Sequence, residues 1–389
     1  MDPKVHRKPS AGRRRRAGSH IAPAQTQESH DAALHSIRAF LRGRSSYDIF
    51  PVSFRTIVLD NKLEVKKALN ALLASSVVSA PLWNGDTARF AGMFTVQDII
   101  HLIQYYYQHS SYDTVGHDVE QFRLESLRDI ERELNVPTPP LISIHPMKPL
   151  WEACELLIST HARRLPLLDT QPTGEEVILS VLTQYRALKA IATNVREITH
   201  LHLSLRSLGI GTYISPIEGN PFHPIATATL DTTVFDVVHV FSRLGISAVP
   251  IIDEEGIVVN LYETVDVITL VRLGVYQNLD LTIASALKQR PHDFPGVITC
   301  TPQDTLASLL MLIKQRRVHR LVVVEGEGGR KGRLVGIITL SDILHYIIGT
   351  DSTRMNGTRS SAGTSATATT ASSSNSHLEV PPMDGTRGS

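Results

Sequence analysis

The sequence predicts an α+β fold built from four repeats, each with the order helix, strand, strand, helix. One observation is a motif that recurs at intervals of roughly 80 residues as GMFTVQD, SVLTQYR, NLYETVD and GIITLSD, ending at Asp98, Arg186, Asp266 and Asp342. The other is an apolar strand before each motif, read as SAPLWN, RRLPLLD, SAVPIID and HRLVVVE. Self-similarity at a near-constant period indicates repeated supersecondary units.

The fourth repeat shows each element most clearly. Leu306, Leu309, Leu310 and Ile313 follow the spacing i, i+3, i+4 and i+7, which is typical of one buried face of a helix. The apolar runs that follow it predict two strands. The sequence EGEGGRKG between these strands leads into a strand and not into a helix. We therefore interpret it as a turn and not as a phosphate-binding loop.

The helices that open the first and third repeats have the same periodicity. Their apolar positions are Val65, Ala68, Leu69 and Leu72 in the first repeat, and Val234, Val237, Val238 and Phe241 in the third. The charged stretch LESLRDIEREL between the first two repeats predicts a solvated linker helix. The Pro- and Gly-containing stretch SPIEGNPFHP after Tyr213 predicts a surface insertion.

The repeats divide the chain into two pairs between two tails. We predict one pair over 36–198, with repeats near 50–108 and 139–196, and another over 199–350, with repeats near 217–275 and 293–350. Residues 1–35, with Arg13–Arg16, predict a disordered basic tail, or alternatively a nuclear-import or acidic-partner patch. Residues 351–389 are rich in Ser, Thr, Gly and Ala, and predict a disordered tail because they bury too little apolar surface to fold.

Composition excludes several classes of protein. The 389 residues are 42% hydrophobic and 20% charged with a net charge of +1, so bulk charge indicates neither a nucleic-acid nor a membrane partner. Cys154 and Cys300 lack metal-site spacing and are interpreted as reduced core residues of an intracellular protein. No apolar run approaches the ~20 residues that span a bilayer. Since no nucleophile–base pair or metal cluster is apparent, we expect no enzyme activity and no metal.

The recurring carboxylate lies where a strand leads into a helix. A carboxylate there is first of all a helix-capping signal. Its recurrence in three of four repeats, at Asp98, Asp266 and Asp342, favours a second role, because an Asp also accepts hydrogen bonds from both hydroxyls of a ribose. The sequence therefore presents capping and ribose binding as alternatives.

Other side chains near the motifs suit a phosphate. Hydroxyls and free N–H groups at a helix start bind phosphate, and Arg binds it with two parallel hydrogen bonds. The hydroxyls are those of Thr95, Thr339 and Ser341, and the cations are Arg163, Arg164, His319 and Arg320. Together with the carboxylates they predict a site for a nucleoside monophosphate.

These repeats resemble CBS (cystathionine β-synthase) repeats, which pair into Bateman modules. Stretches such as FPVSFRTIVLDNKLEVKKALNALL, VSAPLW, IIHLIQYYY, SVLTQYRALK and LVGIITLSDIL are similar to the γ subunits of AMP-activated protein kinase and of the fungal sucrose-nonfermenting kinase complex. The similarity covers 47–348. It implies two Bateman modules assembled into a disk, with adenylate phosphates meeting near its centre.

The resemblance also implies roles for individual residues. Asp98, Asp266 and Asp342 match ribose-binding aspartates, and Arg186 matches a position that leaves the second cleft without nucleotide. The remaining matches are His319, Arg320 and Arg164 near the phosphates, Thr95, Ser247, Thr339 and Ser341 as hydroxyls, and Thr212 and Ala226 in the third cleft. The chain departs from the animal pattern at Val78 and Tyr185, which replace cations, and at Arg163, which replaces a His. We therefore expect the first cleft to bind most weakly and the fourth most strongly.

The implied function is a non-catalytic regulatory subunit that binds AMP, ADP and ATP and couples energy state and carbon source to a Ser/Thr kinase. Its implied partners are the C-terminal region of a catalytic α subunit and a β scaffold subunit, in the cytoplasm and nucleus. Two alternatives stay open. One is a scaffold subunit of that kinase with vestigial ligand binding, and the other is a separate CBS sensor of another metabolite.

Overall fold

The computed structural model describes residues 23–50, 55–75, 77–109, 122–214, 225–272, 280–290, 294, 296–326 and 332–349. The predicted α+β class is confirmed in them. The α-helices are α1 Pro23–Gly43, α2 Val65–Ala74, α3 Val96–His109, α4 Leu127–Glu133, α5 Leu150–Ser159, α6 Gln184–Asn194, α7 Val234–Leu244, α8 Thr264–Arg272, α9 Ile283–Leu287, α10 Leu306–Gln315 and α11 Leu340–Ile348. None of these helices combines the length and hydrophobicity needed to cross a bilayer.

Each repeat contains one antiparallel hairpin. The strands are β1 Leu59–Asp60, β2 Ser79–Asn84, β3 Arg89–Thr95, β4 Arg164–Thr170, β5 Glu176–Thr183, β6 Thr212–Tyr213, β7 Ala248–Ile252, β8 Val258–Glu263, β9 Thr299–Cys300, β10 Arg320–Val324 and β11 Leu334–Thr339. The hairpins are β2–β3, β4–β5, β7–β8 and β10–β11. The turn interpretation of EGEGGRKG is confirmed, since β10 and β11 pair antiparallel, although 327–331 lie outside the described residues.

One register recurs in all four hairpins. The first residue of each leading strand pairs with the residue just before the following helix, as Ser79↔Thr95, Arg164↔Thr183, Ala248↔Glu263 and Arg320↔Thr339. Side chains that precede the first strand are therefore brought beside the helix start that carries the recurring motif. The cations and the carboxylates are neighbours for this reason.

Two hydrophobic cores hold the repeats together, and both cross the predicted boundary at 198/199. One joins α1 to the second and fourth repeats, and the other joins the first repeat to the third. Across the boundary, α3 packs against α7 and α8, while α6 packs against α10. The predicted apolar helix faces, from Val65 to Leu72, Val234 to Phe241 and Leu306 to Ile313, are buried in these cores. The described residues from Pro23 to Gly349 consequently form one compact unit.

The prediction of a disordered tail over 1–35 is wrong for its last thirteen residues, which belong to α1. Ala33, Leu34, Ile37 and Leu41 are buried against the second and fourth repeats. The other faces of α1 carry polar side chains, so the composition of the segment does not reveal this buried apolar stripe. Residues 1–22, with Arg13–Arg16, lie outside the described residues, as do the predicted tail 351–389 and the insertion 215–224.

Arg38→Ala is expected to lower the free energy of unfolding by about 1.5–3 kcal/mol, a range typical of hydrogen bonds to charged groups. Arg38 Nε donates to the carbonyl oxygen of Ile347 (2.8 Å), in the last turn of α11. Urea denaturation would measure the loss. Arg196→Ala removes an exposed arginine as a control and should change stability by less than about 0.5 kcal/mol. Equal effects of the two substitutions would contradict the anchoring role of Arg38.

Candidate functional site

Asp342 lies at the third position of α11, directly after β11 ends. Its Oδ2 accepts hydrogen bonds from the Thr339 backbone N–H (2.7 Å) and the Thr339 hydroxyl (2.8 Å), and Thr339 Oγ1 accepts from the Asp342 N–H (3.3 Å). This is a reciprocal capping box, in which Thr339 is the N-cap. Oδ1 of Asp342 has no hydrogen-bond or ion-pair partner among the described side chains. One carboxylate oxygen is therefore available as an acceptor, while burial raises the pKa of the group.

The corresponding carboxylate of the first repeat is already paired. Asp98 Oδ2 accepts from the Thr95 N–H (2.6 Å) and hydroxyl (2.8 Å), as in the fourth repeat. Its Oδ1 instead accepts from Arg128 Nη1 (2.9 Å), whose Nη2 donates to the Met93 carbonyl oxygen (2.9 Å). Burial raises the pKa of Asp98, and the Arg128 charge opposes that rise. Asp98 is 3% exposed.

Arg128 belongs to α4, the helix in the predicted linker. The prediction that this helix is solvated is wrong, because one of its faces is buried. Leu127 and Ile130 are buried there, and so is Glu131, which accepts from Arg128 Nη1 at 2.7 Å. The charge pattern concealed this burial because two of the charged groups, Arg128 and Glu131, neutralise one another inside the protein. The sequence shows the charges but not that their partner is the recurring aspartate.

The third repeat repeats this arrangement with a different arginine. Asp266 Oδ1 accepts from Arg290 Nε (2.7 Å), and Asp266 Oδ2 accepts from Arg290 Nη2 (2.5 Å) and the Glu263 N–H (2.7 Å). Arg290 also donates to the Leu261 carbonyl oxygen, which occupies the same motif position as that of Met93. Nothing in the local sequence marks Arg290. Asp342 is thus the one recurring aspartate, within the described ranges, that forms no ion pair with an arginine.

A cluster of cations lies beside Asp342. Arg320 pairs with Thr339 across the hairpin and donates to the Ser247 carbonyl oxygen (2.9 Å) and hydroxyl (3.3 Å). Within the described chain, Arg320 forms one ion pair, with Glu263 at 3.1 Å. The structure therefore brings together Ser247, Arg320 and Thr339, three residues that the sequence analysis selected.

The positive charges of the cluster lower the pKa values of its members. Burial, and then the charges of Arg317, Arg320, Arg164 and Arg163, lower the pKa of His319 to about 4. Burial and like charges lower the pKa of Arg163 and of Arg164 to about 10. Solvent still reaches the side chains of His319 and Arg163. A ligand in solution can therefore reach this cluster.

Two helix N-termini meet at this cluster. The Ser341 hydroxyl, in the first turn of α11, donates to Gln184 Oε1 (3.0 Å), at the first residue of α6. Gln184 also donates from its side chain to the Ala162 carbonyl oxygen (3.0 Å) and from its N–H to the Arg163 carbonyl oxygen (3.4 Å). It therefore ties the loop that carries Arg163 and Arg164 to the fourth repeat. Helix N-termini and guanidinium groups both favour an anion.

The expectation that Thr212 lines the third cleft is wrong. Strand β6 joins the sheet of the fourth repeat, where Thr212 pairs with Ile337. Gly211 makes this close approach possible, because a Cβ there would lie 2.5 Å from Ile338 Cγ1. The neighbouring Tyr213 hydroxyl is buried without a partner in the described chain, and burial raises its pKa to about 12. Ala226 packs against the core shared by the first and third repeats.

His319 makes stability depend on pH. Its folded pKa lies below its ordinary value, so between about pH 6.5 and 4 the unfolded chain binds the extra proton and acid destabilises the fold. The melting temperature is expected to fall more steeply from pH 7 to pH 5 for the parent chain than for His319→Gln. Thermal melts at matched ionic strength would measure both slopes, and identical slopes would contradict the shift.

Comparison with known proteins agrees with this geometry. The CBS domain family matches residues 128–193, 220–272 and 293–349. A protein named 5'-AMP-activated protein kinase subunit gamma from Kluyveromyces lactis is 45% identical over 318 residues, which cover 81% of this chain and 92% of that relative. The Saccharomyces cerevisiae protein of the same name is 44% identical over 317 residues, covering 81% and 94%.

A solved archaeal structure, from Methanocaldococcus jannaschii, shares the fold with a TM-score of 0.58 at 16% identity, over 78% of this chain and 99% of that one. The fold class, the CBS repeats and the family resemblance are therefore confirmed. The chain belongs to the family of 5'-AMP-activated protein kinase γ subunits.

Proposed function

We propose that this chain is the non-catalytic regulatory γ subunit of a heterotrimeric Ser/Thr kinase, and that it senses AMP, ADP and ATP in the cleft of its fourth repeat. The observation that carries the proposal is the carboxylate of Asp342. Its Oδ1 is without a described protein partner, whereas the carboxylates of Asp98 and Asp266 are held by Arg128 and Arg290. Among the residues that the structure describes, the fourth repeat alone combines an available acceptor with an adjacent group of cations.

Each part of an adenylate has a counterpart in this cleft. Asp342 Oδ1 accepts from the ribose hydroxyls, since an ionised carboxylate has acceptor positions and no donor. His319, Arg320 and Arg164, with the N-termini of α6 and α11, supply donors for the phosphate. Thr212 and Ser341 border the same helix start. Phosphate binding stabilises the fold because it neutralises charges that otherwise repel one another.

Calorimetric titration of AMP, ADP and ATP into the full-length chain tests this function. Binding with one dominant site is the expected result, and its enthalpy should persist in the assembled kinase. Absence of heat for all three nucleotides would instead favour a scaffold subunit with vestigial ligand binding. The paired carboxylates of the first and third repeats are the observation that favours this alternative.

The proposed partners follow from the names of the relatives, which are kinase subunits. The chain would bind the C-terminal region of a catalytic α subunit and a β scaffold, in the cytoplasm and nucleus, and would connect energy state and carbon source to kinase activity. Affinity purification at native expression is expected to recover both partners. Recovery of this chain without any kinase would favour a separate CBS sensor.

Arg186→Ala is expected to leave the affinity for adenosine unchanged. Arg186 occupies the position of Asp342 in the second repeat, and a guanidinium accepts no hydrogen bond from ribose hydroxyls. Adenosine lacks phosphate, so its titration reports on the nucleoside contacts alone. A change in adenosine affinity of more than about threefold would show that a nucleoside does bind in the second cleft.

A further inference from the structure

The second repeat preserves the backbone of the motif while inverting its charge. The Thr183 hydroxyl accepts from the Arg186 N–H (3.2 Å), as the Thr339 hydroxyl does from the Asp342 N–H. Thr183 pairs with Arg164 at the start of β4, as Thr339 pairs with Arg320. The side chain at this position therefore donates hydrogen bonds where the other three repeats accept them. A site lined by hydrogen-bond donors favours a ligand that carries hydrogen-bond acceptors.

Arg317 brings a further charge to this position. It lies in the loop between α10 and β10, and α10 packs against α6, whose third residue is Arg186. The Arg317 charge lowers the pKa of Arg164, of Arg186 and of His319, after the larger effect of burial on each. Geometry agrees, since the rings of Tyr185 and His319 lie 6.2 Å apart and so place the loop of Arg317 beside the start of α6. The ring of Phe50 lies 5.4 Å from the Arg186 guanidinium carbon.

No described residue neutralises the outer members of this group. Arg164 and Arg317 have no hydrogen-bond acceptor and no carboxylate partner in the described ranges. Arg320 differs, because Glu263 and Ser247 hold it. Arg164 is half-buried, so its charge is costly without a counter-charge, whereas Arg317 is exposed to solvent. An anion bound between the two guanidinium groups would offset this cost.

We propose that the second cleft, formed by Arg164, Arg186 and Arg317, is an anion site that binds a phosphoryl group and no nucleoside. The phosphoryl group has two chemical sources, which are free phosphate and the distal phosphates of a nucleotide held in the fourth cleft. The proposal extends the proposed function, since both sites border His319, but it does not require a nucleotide in the fourth cleft. Such a site would distinguish ATP from AMP because only ATP has distal phosphates that could reach the three arginines.

Calorimetric titration of inorganic phosphate into the full-length chain, with and without saturating AMP, tests this site. We expect one phosphate per chain in both conditions, with affinity that falls as salt increases. Arg317→Gln should weaken phosphate binding at least tenfold. Arg316→Gln removes the adjacent exposed arginine and should leave the affinity unchanged. Without ligand, Arg317→Gln should melt at the same temperature as the parent or higher, because it removes repulsion.

Several results would overturn the proposal. They are the absence of phosphate binding, equal affinity in Arg317→Gln and the parent, and complete displacement of phosphate by AMP. Displacement by ATP but not by AMP would support it and identify the distal phosphates as the source. If AMP produces no heat while phosphate still binds, the proposed nucleotide function fails and the anion site remains.

Discussion

Asp266→Ala is expected to lower the free energy of unfolding by about 3–5 kcal/mol, the range for removing one partner of a buried ion pair. The side chains of Arg290 and Asp266 are 8% and 10% exposed, and the guanidinium makes three contacts with the carboxylate and the Leu261 carbonyl oxygen. Without Asp266, the arginine charge stays enclosed and unpaired. Urea denaturation would measure the loss.

Two further variants show whether burial causes the effect. Asp266→Ala combined with Arg290→Met should regain most of the stability, because no unpaired charge is then enclosed. Asp129→Ala removes a carboxylate from a surface pair, in which Arg132 and Asp129 are 71% and 59% exposed, and should cost less than about 1 kcal/mol. If Asp266→Ala cost no more than Asp129→Ala, the buried pair would not stabilise the third repeat.

Asp342→Ala is expected to weaken AMP and ADP binding by about tenfold to several hundredfold. Each hydrogen bond from a ribose hydroxyl to a carboxylate contributes roughly 1.5–3 kcal/mol. Each factor of ten in affinity corresponds to about 1.4 kcal/mol. Asp98→Ala should leave affinity nearly unchanged, because Arg128 already holds that carboxylate. Calorimetry on both variants would measure the difference.

Asp304→Ala, in the turn before the Thr305 N-cap of α10, is the matched control for the local hydrogen bonds of Asp342. Asp304 Oδ2 accepts from the Thr301 N–H (2.7 Å) and hydroxyl (3.1 Å), the same local contacts that Asp342 makes with Thr339. Both substitutions should lower stability by about 1 kcal/mol, because each removes local hydrogen bonds whose net contribution is of that size. Only Asp342→Ala should also lower affinity. Equal nucleotide affinity in the two variants would mean that Asp342 caps its helix and does nothing more.

The elements of the repeats were predictable because their signals are local. The helix face from Leu306 to Ile313 and the strand pattern of β10 and β11 depend on spacing within one segment, and the same spacing recurs in the other repeats. The cations near Asp342 were also predictable, since the hairpin register brings Arg320 to Thr339. Local periodicity made the helices and strands predictable, and the repeated hairpin register made the cations near Asp342 predictable.

The failures involve contacts between distant segments. Arg128 and Arg290 reach aspartates 30 and 24 residues away, and no local pattern specifies such partners. Strand β6 precedes the third repeat in the chain but pairs within the fourth, which misled the placement of Thr212. Helix α1 looked disordered because its apolar stripe matters only when the second and fourth repeats cover it.

The most direct test of a nucleotide site in the fourth repeat is a crystal structure of the full-length chain with AMP. We predict ribose hydroxyls within hydrogen-bond distance of Asp342 Oδ1 and a phosphate that contacts His319 and Arg320. A ribose against Arg186, or AMP bound elsewhere with no ligand at Asp342, would contradict it.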